Sequence, residues 1–139
     1  MAERKIGTVI RRRPVTLHGD ATVQQACQEM HHHRIGAIMV TDANGRLEGI
    51  FTGRDAVRLL AEGRNPGHTK LNAVMTHNPE HMPPGGTALE ALRLMQDGGF
   101  RHVPVVEHGR VVGVVSLLDF RAHEHDRLDE ETGLWERIG

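Results

Sequence analysis

The feature that most constrains this chain is that it is written twice. Pro14, Thr22, Ala26, Met30 and Val40 recur 65 positions later as Pro79, Thr87, Ala91, Met95 and Val105. One residue is then lost, and Gly45, Arg46, Gly49 and Asp55 recur 64 positions later as Gly109, Arg110, Gly113 and Asp119. A repeat of this kind fixes the folding unit and makes any site doubled and near-symmetric. A unit of roughly 60 residues buries too little of its surface to be robust alone, so the halves are expected to pack on one another. The matching set includes polar residues at the end of each unit, where packing does not demand identity. Function is expected there.

Each unit reads β-α-β-β-α. A short extended piece follows proline in both: Val15, Thr16 and Leu17, then Glu80, His81 and Met82. Next comes an amphipathic helix, capped by Asp20 or Thr22 in the first unit, with Val23, Ala26, Cys27 and Met30 at helical spacing. Ala88, Ala91, Leu92 and Met95 repeat that stripe. Two strands joined by a tight turn follow, 37–41 with 47–52 and 102–106 with 111–116. Asn44-Gly45 and His108-Gly109 supply the positive φ that such turns require. A second helix closes each unit, around 54–62 and 118–125. The units therefore span 6–62 and 70–125, with 63–67 between them and a helical tail over 126–139 that carries Leu128, Leu134, Trp135 and Ile138. Two such units facing each other make an α+β sandwich of tandem β-α-β-β-α repeats with pseudo-two-fold symmetry.

Composition removes several function classes. Aromatic residues are 3% of the chain and tyrosine is absent, which leaves no stacking platform for single-stranded nucleic acid. A net charge of −1 supplies no global field for nucleic acid or anionic lipid. The charge is uneven, with Arg4, Lys5, Arg11, Arg12 and Arg13 at the start and Glu124, Asp126, Asp129, Glu130 and Glu131 at the end. These clusters are either solvated termini or complementary patches across a dimer interface. One cysteine permits no internal disulfide, and no apolar run approaches the ~18 residues of a membrane span. A cytoplasmic protein is expected.

The polar residues at the unit ends share a pattern, Gly-x-x-Thr/Ser-x-x-Asp, in Gly49 to Asp55 and again in Gly113 to Asp119. Glycine lets a backbone or ligand come close to the strand. Thr52 and Ser116 stand where a strand hands over to a helix, with Asp55 and Asp119 in the first turn. A helix N-terminus favours a bound anion, and an ionised aspartate can accept from two adjacent sugar hydroxyls. The same spacing also makes a helix cap, which needs no ligand.

The doubled heptad in a doubled β-α-β-β-α unit resembles the CBS-domain pair, or Bateman module, of the free-standing bacterial type. Val74, Met75 and Thr76 with Pro79, and the stretch from Phe100 to Val106, are similar to that family's second-repeat segments. The resemblance implies a regulatory module that binds AMP, ADP or ATP in clefts between the repeats. S-adenosylmethionine and NADH share the adenosine half and are possible in their place. It implies that Thr52 and Ser116 contact phosphate and that Asp55 and Asp119 hold ribose. Base contacts are implied near Ala37 and Ile38, or His102 and Val103, with Thr16 or His81. Arg54 and Arg101 are candidates for the phosphate chain. The aligned pairs Ala37/His102, Thr16/His81 and Gly36/Arg101 differ, so one cleft is expected to be roomier and the other more cationic. Alanine at both Asp55 and Asp119 is expected to abolish binding without unfolding the chain.

The family also implies a disc-like homodimer, with Val57, Leu59, Leu60, Leu117 and Leu118 as candidates for its surface, and a regulated protein partner that the sequence does not name. The alternative is a dimerisation scaffold without a physiological ligand. Eleven histidines invite a metal reading, but contiguous His31, His32 and His33 point about 100° apart on a helix and cannot close on one ion. They suit a polar helix C-terminus instead. A further use is a pH response of ligand or dimer affinity. Cys27, on the apolar stripe, reads as a small core residue. No nucleophile triad, P-loop or zinc-protease motif is present, so neither catalysis nor a required cofactor is expected.

Overall fold

The computed structural model describes residues 4–8 and 13–120. Two cores lie on either side of a pseudo-dyad. In the first unit, β1 (Thr16–His18) runs parallel to β2 (Ala37–Thr41), which pairs antiparallel with β3 (Leu47–Thr52). Between them, α1 (Val23–His33) buries Val23, Ala26 and Met30, and α2 (Gly53–Ala61) follows β3 without a break. In the second unit, α4 (Ala88–Gly98) buries Ala88, Ala91 and Met95 behind the hairpin of β5 (His102–Glu107) and β6 (Arg110–Ser116). Residues 117–120 are helical, and the rest of the expected closing helix and the tail lie outside the described residues. The parallel opening strand of the second unit is reduced to one bridge, Met82 to Val105, the counterpart of Leu17 to Val40 in β1.

Capping chemistry sets the helix starts. Thr22 with Gln25, Thr52 with Asp55 and Thr87 with Glu90 each form a reciprocal capping box, satisfying N–H groups that a helix start leaves free. The hairpins turn where expected, with Gly45 at φ 79°, His108 at 53° and Gly109 at 80°. Asp42 Oδ1 accepts from the backbone of Asn44 and Arg46 in the first turn, which holds its carboxyl below the usual carboxylate range. Both hairpins shift register at the same place, between Val40 and Thr41 and between Val105 and Val106. The repeat extends to its irregularities.

Three features depart from the sequence reading. The start of the second unit, ahead of its expected opening strand, is ordered as α3 (Leu71–Val74) and β4 (Thr76–His77), and β4 pairs with β3 to give a four-stranded sheet. Second, each unit is closed by the strap that precedes the other. Arg4 O accepts from Ala88 N at 2.8 Å and Gly86 O from Ile6 N at 2.7 Å; Thr69 O accepts from Val23 N at 2.9 Å and Ala21 O from Leu71 N at 2.8 Å. Ile6 is thereby buried in the core of the second unit and Leu71 in that of the first. Third, Cys27 and Leu92 sit at the edge of their stripes. Leu92 is exposed, and Cys27 is half-buried with its thiol pKa pushed up by desolvation.

The units meet through Ala37, Met39 and Ile50 of the first sheet and Val111 and Val114 of the second. Their hairpin tips pair across the pseudo-dyad, with Leu47 N donating to Gly109 O and Val111 N to Gly45 O. Of the residues expected on a dimer surface, Val57, Leu60 and Leu118 are exposed. Leu59 is buried in the first core, and Leu117 packs against the second, because helical spacing turns both inward. Val57 and Leu60 rim an apolar groove of about 210 Å³ between α1 and α2. At the end of α1, His33 Nε2 lies 3.0 Å from Glu29 Oε2.

Candidate functional site

The strand-to-helix handover at Thr52 is where the sheet stops and the first turn of α2 presents its N–H groups. Thr52 N and Oγ1 donate to Asp55 Oδ2 at 2.9 and 3.1 Å, and Asp55 N donates to Thr52 Oγ1 at 3.3 Å. One carboxylate oxygen is thus committed to the cap. The other, Oδ1, is 3.5 Å from Nη2 of half-exposed Arg58, a pair of small energetic weight. The second heptad is built alike, with Ser116 N and Oγ donating to Asp119 Oδ2 at 2.8 and 3.2 Å. Both aspartates accept cap bonds at a helix start. Alanine at these positions therefore costs some stability as well as an acceptor.

Thr52, Arg54 and Asp55 open on a cleft of about 600 Å³ between the two units. Gly36 and Ile50 contribute from the first unit, Thr76, Asn78, Pro79 and Glu80 from the start of the second, and Phe100, Arg101 and His102 from further along it. Five of the sequence-derived candidates converge here: Thr52, Arg54, Asp55, Arg101 and His102. Ile50 and the ring of Phe100 give the lining apolar surface, while Arg54 and Arg101 bring positive charge to it and Asp55 and Glu80 negative charge. Burial pushes the His102 imidazole pKa below its ordinary value; Asp119 opposes that shift and Arg101 adds to it.

The other candidates do not line this cleft. Ile38 and Val103 are fully buried in the first and second cores. Alternation along a strand explains this: one residue earlier, Ala37 and His102 face the opposite side. Ala37 packs at the junction of the units, opposite Thr52 in register. Thr16 is exposed on β1, and exposed His81 rests its Nδ1 3.0 Å from Pro79 O. Ser116 and Asp119, half-buried, stand at the pseudo-symmetric position, and residues 11 and 12, the repeat counterparts of Thr76 and His77, lie outside the described residues.

The sequence reading missed Thr76, Asn78, Pro79, Glu80 and Phe100. Pro79 was visible as a repeat match, and Asn78 takes a left-handed φ of 47° where β4 turns into the cleft. The glycine of the heptad also has a different cause from the one expected. A Cβ on Gly49 would stand 2.5 Å from Met75 Sδ, so Gly49 makes room for the core and not for a ligand.

A family model described as "CBS domain" matches residues 6–62 and again residues 71–126. The chain is 39% identical over 116 residues to the CBS domain-containing protein CBSCBSPB2 of Arabidopsis thaliana, which covers 83% of this chain and 22% of that protein. It thus spans about a fifth of the length of that relative. Among solved structures, a CBS-domain containing protein from Agrobacterium tumefaciens superposes with a TM-score of 0.78 at 33% identity, over 86% of this chain and 98% of that one. A CBS domain protein from Pyrobaculum aerophilum, solved in complex with AMP, shares the fold with a TM-score of 0.78 at 24% identity, over 83% of this chain and 88% of that one.

Proposed function

The chain belongs to the CBS-domain family, and on that premise we propose that it is a regulatory module whose first cleft binds an adenosine-bearing ligand. The observation that carries this reading is the convergence of Asp55, Thr52, Arg54 and Arg101 on one cleft between the units. Its volume of about 600 Å³ falls within the ~300–1,000 Å³ usual for small-molecule sites. Asp55 Oδ1, the oxygen outside the cap, faces two ribose hydroxyls; the N-terminus of α2 with Arg54 and Arg101 takes phosphate. Ile50 and Phe100 give the base an apolar surface. With Arg54 and Arg101 as its phosphate contacts, the cleft suits AMP, ADP and ATP better than S-adenosylmethionine, whose sulfonium is positive. The Pyrobaculum protein supports the fold's capacity for such a ligand, and the residues above are this chain's own. We read the module as a binding protein and not as a catalyst.

A thermal-shift panel of AMP, ADP, ATP, S-adenosylmethionine and NADH tests the reading. A ligand at about 100 times its Kd adds roughly 2.7 kcal/mol, a shift of several degrees. The second reading is a dimerisation scaffold, favoured by one observation: Asp55 and Asp119 each accept a backbone N–H at a helix start, a role that needs no ligand. A flat panel on ligand-free protein selects it. In either reading we propose a homodimer built on α2, where Val57 and Leu60 are 67% and 76% exposed. Sedimentation of Leu60→Glu should then show a monomer where the native chain sediments as a dimer.

A further inference from the structure

His102 opens β5 and pairs in register with Ser116, as its counterpart Ala37 pairs with Thr52. Its half-buried ring lines the first cleft and lies against the backbone of Gly36. A Cβ on residue 36 would stand 3.1 Å from Nε2 and 3.2 Å from Cε1, so the ring has its room because that residue is glycine. Charged groups converge on the cleft around it from every neighbouring element. Arg101 beside it on β5 and Arg54 at the start of α2 are positive; Asp55 on α2 and Glu80 after β4 are negative. Asp119, which caps the turn after Ser116, acts on the imidazole from the other side.

Burial and Arg101 favour the neutral imidazole, against the pull of Asp119. Near neutral pH the ring therefore adds no charge to the site. A phosphate held between Arg54 and Arg101 reverses this balance, because an anion beside a histidine favours its protonated form. Uncharged adenosine exerts no such pull.

Resting on the nucleotide reading above, we propose that His102 is a specificity-determining residue of the first cleft, taking one proton from solvent as a phosphate-bearing ligand enters. The cleft then prefers anionic ligands over the bare nucleoside, and the preference grows as pH falls. One linked proton caps the effect at about tenfold in affinity per pH unit. The other histidines among the described residues lie outside the cleft lining and are left intact in the test below.

The test is calorimetry of AMP and of adenosine at about pH 6.8 and about pH 8, a range in which the phosphate stays mostly dianionic. Two buffers of different ionisation enthalpy report the protons taken up. The native chain should bind AMP about threefold or more tightly at the lower pH with net proton uptake, and adenosine with none. His102→Gln should lose both the pH dependence and the uptake. Gly36→Ala, which displaces the ring without removing it, should diminish both. Proton uptake that persists in His102→Gln, or AMP affinity equal at the two pH values, overturns the proposal and leaves the nucleotide reading standing. AMP that fails to bind the native chain at either pH overturns both.

Discussion

Asp55 holds two roles that one substitution confounds and a pair of substitutions separates. Its Oδ2 accepts from Thr52 N and Oγ1, and its Oδ1 lies near Arg58. Asp55→Ala deletes both accepted bonds at a helix start, where lost caps cost about 0.5–2 kcal/mol. The ion pair with half-exposed Arg58 adds well under ~1 kcal/mol. A total of about 1–2 kcal/mol corresponds to a fall in Tm of roughly 3–10 °C for a chain of this size. Asp55→Asn keeps a carbonyl oxygen for the cap and loses the weak ion pair with Arg58 and the favourable charge at the helix N-terminus, the latter about 0.3–1 kcal/mol.

For the ligand the two variants are alike. A ribose diol that donates both hydroxyls to a carboxylate meets at most one acceptor in asparagine and none in alanine. A hydrogen bond to a charged group contributes about 1.5–3 kcal/mol, so either variant should weaken the first cleft by at least about tenfold. Thermal melts and AMP calorimetry on both variants make the comparison. The expected pattern is Ala unstable and weak, Asn near-native in stability and equally weak. An Asn variant that binds as the native chain does would refute the reasoning and leave Asp55 as a cap alone.

Gly49→Ala drives a Cβ to 2.5 Å from Met75 Sδ, and overpacking of this kind costs about 1–3 kcal/mol, readable as a lower urea midpoint with AMP affinity retained. Ile6→Ala empties a buried site in the core of the opposite unit and should cost about 2–5 kcal/mol; a loss below ~1 kcal/mol would mean the strap does not hold the second unit. Folding stability should also depend on pH through His102. Its folded pKa is depressed, so above the unfolded value of about 6.5 both states are neutral and nothing is contributed. Below it the unfolded chain takes a proton that the folded chain refuses, and stability falls as pH drops toward the folded pKa, by at most about 1.4 kcal/mol per unit. His102→Gln should flatten that slope in ligand-free urea titrations.

The elements legible in the sequence were those coded by period and punctuation. The α1 and α4 stripes, the Thr caps and the Asn-Gly and His-Gly turns are local signals, and they stand where periodicity puts them. What stayed hidden depends on partners far along the chain. Lys5 and Lys70 are themselves 65 apart, yet nothing in a lysine-isoleucine or lysine-leucine pair says that each strap crosses to the other unit. The site divides in the same way. Thr52 and Asp55 were visible through their spacing, whereas Asn78 and Glu80 enter the cleft because β4 joins the first sheet, and Phe100 because the second unit faces the first across it. Ile38 and Val103 were misplaced by one step of strand alternation, which reverses a side chain from cleft to core.

Symmetry of backbone does not make the two heptads equivalent. The capping geometry at Ser116 and Asp119 repeats that at Thr52 and Asp55 to within a few tenths of an ångström in the shared bonds. The side chains around it diverge. Arg54 is answered by Leu118, Arg101 by Gly36 and His102 by Ala37. The first two differences put an apolar or small residue where the first cleft has an arginine, whereas His102, beside Ser116 in register, acts on Asp119 as well. Phosphate selectivity depends on such groups, while ribose recognition needs only the aspartate. We therefore expect two AMP sites of unequal affinity, the one at Asp55 tighter and more salt-sensitive, and the one at Asp119 with little preference between AMP and adenosine. Calorimetry of Asp55→Asn isolates the second site. If that variant still discriminated AMP from adenosine as strongly as the native chain, the cationic walls of the first cleft would not be the source of selectivity.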